Sequence, residues 1–134
     1  LPAGDIRGMR VLVVEDNALN LEIMQCLLED AGAIVTVARD GAAAVEAVRS
    51  SPEGGFDAIL MDIMMPVMDG LEASRQIRAL PRPDVANVPI IAMTANAFEE
   101  DRKRSAEAGM NDHLTKPLQP RLLMDTLAKY RKRP

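Results

Sequence analysis

Residues 56–70 read FDAILMDIMMPVMDG. The first six, apolar but for Asp57, make a run of strand length that exits into Asp62, followed by methionines, Pro66 and an Asp-Gly turn at 69–70. An acid at one strand exit carries little information. Its meaning depends on what stands at the other exits, and so on how many strands the chain has and how they are ordered.

Apolar runs of similar length recur at Met9 to Val14 (MRVLVV), Ile34 to Ala38 (IVTVA), Val88 to Met93 (VPIIAM) and, shorter, around His113 and Leu114. The first hardly alternates and is rich in β-branched residues, as a parallel strand buried on both faces should be. Helical patterns lie between the runs. Leu21, Met24, Leu28 and Ala31 follow a 3-4-3 spacing closed by Gly32. Asp40 is placed to cap an Ala-rich helix from Gly41 to Arg49, and Pro120 suits the first turn of a last helix carrying Leu123, Leu127 and Tyr130. Strand alternating with helix five times predicts an α/β fold, a doubly wound parallel sheet of five strands with right-handed crossovers. Such sheets bind ligands beyond the carboxyl ends of their strands, where strand order reverses.

With the order 2-1-3-4-5, the flavodoxin-like arrangement, Glu15, Asp16 and Asp62 meet in one crevice, flanked by Thr94 and Lys116. Like charges ~4 Å apart repel by about 4 kcal/mol at an effective dielectric near 20, so this cluster calls for a cation. Oxygen ligands that leave room for water suit Mg²⁺, with Mn²⁺ as a substitute, rather than zinc. A carboxylate beside such an ion, a lysine and a hydroxyl is equipped to accept a phosphoryl group itself. Asp62 is the expected acceptor. Pro66 and Gly70 shape the loop that brings a backbone carbonyl, that of Met64, to the metal.

The motifs VVEDN with Asn20, MDIMMPVMDG, MTA at 93–95 and TKP at 115–117, in this order and spacing, resemble the receiver domains of two-component response regulators. The resemblance runs from about Met9 to Tyr130. It implies Asp62 as phosphorylation site, Asp16 as direct metal ligand with Glu15 acting through the ion's water shell, Thr94 as switch hydroxyl and Lys116 as phosphate contact. It also implies a cis bond before Pro117 and, as partner, a histidine kinase dimerisation domain or a histidine phosphotransfer domain. MTANAF and EAGMNDHLTKP are most similar to receivers of hybrid histidine kinases. His113 departs from the pattern, since many relatives carry Tyr or Phe there, and it is read as a partly buried histidine without acid or base duty.

Composition agrees with one soluble domain: 134 residues, 48% hydrophobic and 27% charged. Sixteen basic against 20 acidic residues, a net charge of −4, argue against direct nucleic-acid binding. No apolar stretch approaches the roughly 18 residues that span a bilayer, so no membrane contact by this domain is expected, although a parent protein can be membrane-anchored; a single cysteine without a disulfide partner suits a reducing cytoplasm. Cys26, alone among Ile23, Met24, Leu27 and Leu28, is expected to pack in the core. Residues 1–8 read as a linker or added remnant, 9–130 as the receiver and 131–134 as a basic tail, the whole cut from a longer polypeptide. The helix after Thr94, about Phe98 to Ala108, has a thin apolar stripe and is expected to be weakly held.

Two other functions compete with a signalling role without enzymatic turnover. A phosphatase that works through an aspartyl phosphate would carry a second acid two residues after its nucleophile, where this chain has Met64. A flavodoxin would not place Glu15-Asp16-Asn17 against a flavin phosphate, and aromatic residues to sandwich a flavin are scarce.

Overall fold

The computed structural model describes residues 5–52, 54–63, 68–94, 99–116 and 118–130. Five parallel strands, β1 (Arg10–Val14), β2 (Ile34–Ala38), β3 (Ala58–Asp62), β4 (Ile90–Thr94) and β5 (Asp112–Thr115), form one sheet in the order β2-β1-β3-β4-β5. The helices are α1 (Ala18–Asp30), α2 (Gly41–Ser50), α3 (Gly70–Arg78), the single turn α4 (Pro83–Ala86), α5 (Glu99–Glu107) and α6 (Pro120–Lys129). The predicted doubly wound architecture is thus present, with α4 as an addition. Four residues are too few to show a helical period, and only Pro83 at the first position marks it.

The period-2 alternation of the strands sorts the core into two layers. Val11 and Val13 of β1 face one way with Leu60, Ile91 and Met93, against Leu21, Met24 and Leu28 of α1 and Leu123 and Leu127 of α6. Leu12 and Val14 face the other way with Ile59, Met61, Ile90 and Ala92, against Ala44, Val45 and Val48 of α2 and Leu71 and Ile77 of α3. All five residues of β3 are buried, which explains why its run does not alternate. β2 is an edge strand, and there Ile34 and Val37 are exposed.

Local signals account for the helix ends. The Asp40 side chain accepts from the Ala43 amide at 2.7 Å, and Gly32 sits at φ 93° just past α1. Cys26, by contrast, is exposed. Two residues beyond Met24 is about 200° around a helix, which carries Cys26 off the stripe formed by Leu21, Met24 and Leu28. Within the stretch 1–8, Ile6 is 1% exposed, belongs to the α1/α6 layer, and accepts from the Met9 amide at 3.0 Å.

The far end of α5 is better fastened than its composition predicts. Ser105, Ala108 and Met110 are buried. The half-buried Arg78 guanidinium donates to the Gly109 carbonyl (2.8 Å), the Val85 carbonyl (3.0 Å) and Asn111 Oδ1 (2.8 Å). Phe98 lies outside the described residues, as do Ala95, Pro117 and the tail 131–134.

At the start of β5, Asp112 ties the last helix to the sheet. Its Oδ2 accepts from Lys129 Nζ (2.8 Å) and the Tyr130 hydroxyl (3.1 Å), and its Oδ1 from the His113 amide (2.9 Å). Burial opposes the charge of Asp112, but these hydrogen bonds outweigh it and hold its pKa below the ordinary 3.8. The unfolded chain therefore binds a proton more readily, so the contribution is complete above the ordinary value and is lost as pH falls through the folded one. Asp112→Asn is expected to cost about 1 kcal/mol at neutral pH, with the difference from wild type fading in strong acid. Urea unfolding at several pH values checks this, and a pH-independent difference would contradict it.

Candidate functional site

The order reverses between β1 and β3, and Glu15, Asp16, Asp62 and Lys116 meet in the crevice beyond their carboxyl ends. The Glu15 amide extends the ladder by donating to the Ala38 carbonyl at 3.1 Å. The turn that follows is locked by Asn17, which caps α1 by accepting from the Asn20 amide (2.9 Å) while its own amide donates to Glu15 Oε1 (3.3 Å). Asp62 is the last residue of β3, and the next amide, that of Ile63, still donates to the Met93 carbonyl at 3.1 Å. Thr94 closes β4, and its carbonyl accepts from the Lys116 amide at 2.8 Å, which aligns the ends of β4 and β5.

These exits bring the side chains together. Carboxylate oxygens of Glu15, Asp16 and Asp62 lie within 4.8 Å of one another. Lys116 Nζ donates to Asp62 Oδ2 at 3.1 Å and to Glu15 Oε2 at 3.3 Å. Glu15 is 1% exposed, Asp62 3% and Thr94 6%, while Asp16 is half-buried and nearer solvent. The Met64 carbonyl expected at the metal lies outside the described residues, as does Pro66.

The electrostatics follow from this packing. Burial raises the pKa of Glu15, and the charge of Asp62 raises it further; Lys116 and the Asn17 amide offset only part. Burial alone would lower Lys116, but its hydrogen bond to Asp62 and the charges of Asp62 and Glu15 prevail and raise it. Three carboxylates against one ammonium leave a surplus of negative charge in a buried, all-oxygen site. That donor set fits a hard divalent cation held by Glu15, Asp16 and Asp62. No other group of three such residues occurs among the described residues.

One feature of the site was not foreseen. A cavity of about 450 Å³ opens beside Glu15 and Lys116, walled by Ile23, Met24 and Leu27 of α1 and by Leu118 and Leu123. Ile23 and Leu27, four residues apart and off the core stripe, were the available signal in the sequence.

Residues 11–128 match the response regulator receiver domain family, and the chain belongs to it. It is 42% identical over 125 residues to the sensor protein GacS of Pseudomonas syringae pv. syringae, covering 92% of this chain and 14% of that one. Among solved structures, the receiver domain of a sensor histidine kinase from Pseudomonas aeruginosa superposes with a TM-score of 0.81 at 41% identity, covering 92% of this chain and 97% of that one. That protein has a magnesium ion coordinated in its active-site cleft. The receiver domain of the Saccharomyces cerevisiae regulator Ssk1, co-crystallised with the histidine phosphotransfer protein Ypd1, gives 0.83 at 32% identity, covering 93% and 90%. The fold, the family and the likeness to hybrid-kinase receivers expected from the sequence all hold. The chain spans only 7% to 14% of the first curated relatives it matches.

Proposed function

We propose that this domain takes a phosphoryl group from a phosphohistidine onto Asp62 and passes the change on as a conformational signal. The observation that carries the reading is the convergence of Glu15, Asp16, Asp62 and Lys116 at the strand-order reversal. A carboxylate oxygen of Asp62 attacks phosphorus as the phosphorus–nitrogen bond of the donor breaks, and the bonding pair leaves with the imidazole nitrogen. Lys116 is placed to hold a phosphoryl oxygen, and Thr94, at the end of the adjoining strand, supplies the hydroxyl that a new oxygen can engage. Asp16, nearer solvent, suits direct metal ligation. Glu15, occupied by Lys116, suits the ion's water shell. Mg²⁺, or Mn²⁺ in its place, would neutralise charge on the phosphoryl oxygens.

The phosphatase alternative lacks support, since the second acid it needs is replaced by Met64. The domain acts as a substrate of its partners rather than as an enzyme with turnover. The partner is a histidine phosphotransfer domain or a kinase dimerisation domain, as the phosphotransfer complex of the yeast relative suggests. No described helix is long and apolar enough to cross a membrane, and this reading places the domain in the cytoplasm. Direct nucleic-acid binding has no part in this reading.

The test is incubation with Mg²⁺ and either acetyl phosphate or a phosphorylated histidine phosphotransfer protein, followed by intact-mass analysis. One phosphoryl group, stable in acid and lost in base, is the expected product. No incorporation from either donor would overturn the proposal.

A further inference from the structure

Gly41 opens α2, and it is buried there. A helix gains nothing in propensity from glycine at this place; alanine would favour α2 by up to about 1 kcal/mol. Space accounts for its presence. A Cβ added at Gly41 would overlap the Met68 carbonyl oxygen and would lie 3.0 Å from both Cβ and Cγ of Met68. Two residues on, Gly70 opens α3 under the same constraint from the opposite side. Its missing Cβ leaves room for the Asp62 carbonyl oxygen and would stand 2.9 Å from the Ile63 Cα. The Gly70 amide also donates to the Ile63 carbonyl at 3.0 Å. The returning end of the β3–α3 loop is therefore wedged between the first residue of α2 and the main chain of Asp62, with no slack at either contact.

Resting on the reading of Asp62 as acceptor, we infer that Gly41 is a positioning residue for Asp62. It never touches the site, but it admits Met68 and thereby sets how closely the loop returns to the Asp62 main chain. A methyl group at residue 41 has to displace the Met68 main chain, because a carbonyl cannot rotate away as the end of a flexible side chain can. The displacement passes through Asp69 to Gly70, and Gly70 abuts Asp62. Asp69 cannot absorb it freely, since its side chain accepts from the Glu72 amide at 2.9 Å as the cap of α3.

The experiment compares wild type, Gly41→Ala and Ala47→Gly. Ala47, six residues along α2 and half-buried, serves as a control for destabilisation remote from the loop. In Mg²⁺-free protein, Gly41→Ala should move the Asp62 and Ile63 amide resonances well beyond those of Val11 to Val13. It should also weaken Mg²⁺ about tenfold and slow phosphoryl incorporation by a similar factor, as changes behind metal ligands do. Ala47→Gly should lower the melting temperature and leave all three readouts unchanged. If Gly41→Ala does not fold, Met68→Gly takes its place: it removes the side chain that fills the notch and should weaken Mg²⁺ several-fold with the same amide pattern. Wild-type values in Gly41→Ala, or in Met68→Gly where that stands in, would overturn the inference, as would the same changes in Ala47→Gly. Absence of Mg²⁺ binding and phosphorylation in wild type would overturn the reading of the site and this inference with it.

Discussion

Asp62→Asn is expected to accept no phosphoryl group from acetyl phosphate in Mg²⁺, while its melting temperature stays within a few degrees of wild type. The carboxamide has nearly the shape of the carboxylate but no anionic oxygen to attack phosphorus. Neither remaining acid replaces it. Glu15 is 1% exposed, with its two oxygens engaged by Lys116 and the Asn17 amide. Asp16 sits on the rim, and loading it would remove a metal ligand. The fold should tolerate the change because two terms oppose each other. Lys116 loses its 3.1 Å ion pair with Asp62, but repulsion of Asp62 by Glu15 and Asp16 disappears and Lys116 keeps Glu15. Terms of this kind in a partly screened site cancel to within about 1 kcal/mol. Intact-mass analysis beside thermal denaturation reads both halves. Equal incorporation by wild type and variant would place the acceptor elsewhere.

The site was legible in the sequence because each of its side chains stands at a strand exit, and strand exits can be read from where an apolar run stops. Glu15, Asp62, Thr94 and Lys116 needed only the sheet order to be brought together. The strand boundaries were less legible. The run from Phe56 begins two residues before the assigned strand does, and at Asp57 the amide still donates to the Arg10 carbonyl while the side chain, in place of the next main-chain carbonyl, accepts from the Arg10 amide. At the other end Asp62 and Thr94 are strand residues although they are polar, because they still pair with β4 and β5. Contacts between distant segments left no local trace. The Arg78 guanidinium reaches Gly109 and Asn111, more than thirty residues away, and nothing in the periodicity of α3 announces it. The exposure of Cys26 was recoverable from the helical angle alone, but its apolar neighbours in sequence obscured it.

The amphipathic logic that built the core also left a residue of surface. Ile23, outside the α1 stripe, is exposed while Met24 next to it is buried, and Leu27 lines the cavity that reaches Lys116. The acidic crevice thus has an apolar flank beside Glu15 and Lys116. On the function proposed above, a phosphoryl donor reaches Asp62 beside these apolar side chains, so access to the acid is shaped by groups that carry no charge.

Lys116→Met is expected to change three properties in different directions. In the absence of divalent ions the protein should lose about 2 kcal/mol of stability, because Glu15 and Asp62, both nearly buried, lose their shared cation. The estimate is held below that for a fully buried pair because the Lys116 side chain is 30% exposed. Mg²⁺ should then bind more tightly, by about tenfold, since the ammonium no longer competes for the same two carboxylates. Adding Mg²⁺ should accordingly recover most of the lost stability, with ten times its Kd contributing about 1.4 kcal/mol. Phosphoryl acceptance should nevertheless fall by on the order of 10²–10³, the usual loss when one preorganised donor to a phosphoryl or oxyanion group is removed. Tighter metal with slower transfer separates the two roles of this lysine, as counter-ion in the resting site and as ligand to the incoming group. A Mg²⁺ titration, thermal denaturation with and without the ion, and the rate of incorporation from acetyl phosphate measure the three effects. Weaker Mg²⁺ binding in the variant would show that Lys116 supports the metal site instead of competing with it, and undiminished transfer would remove it from the phosphoryl chemistry.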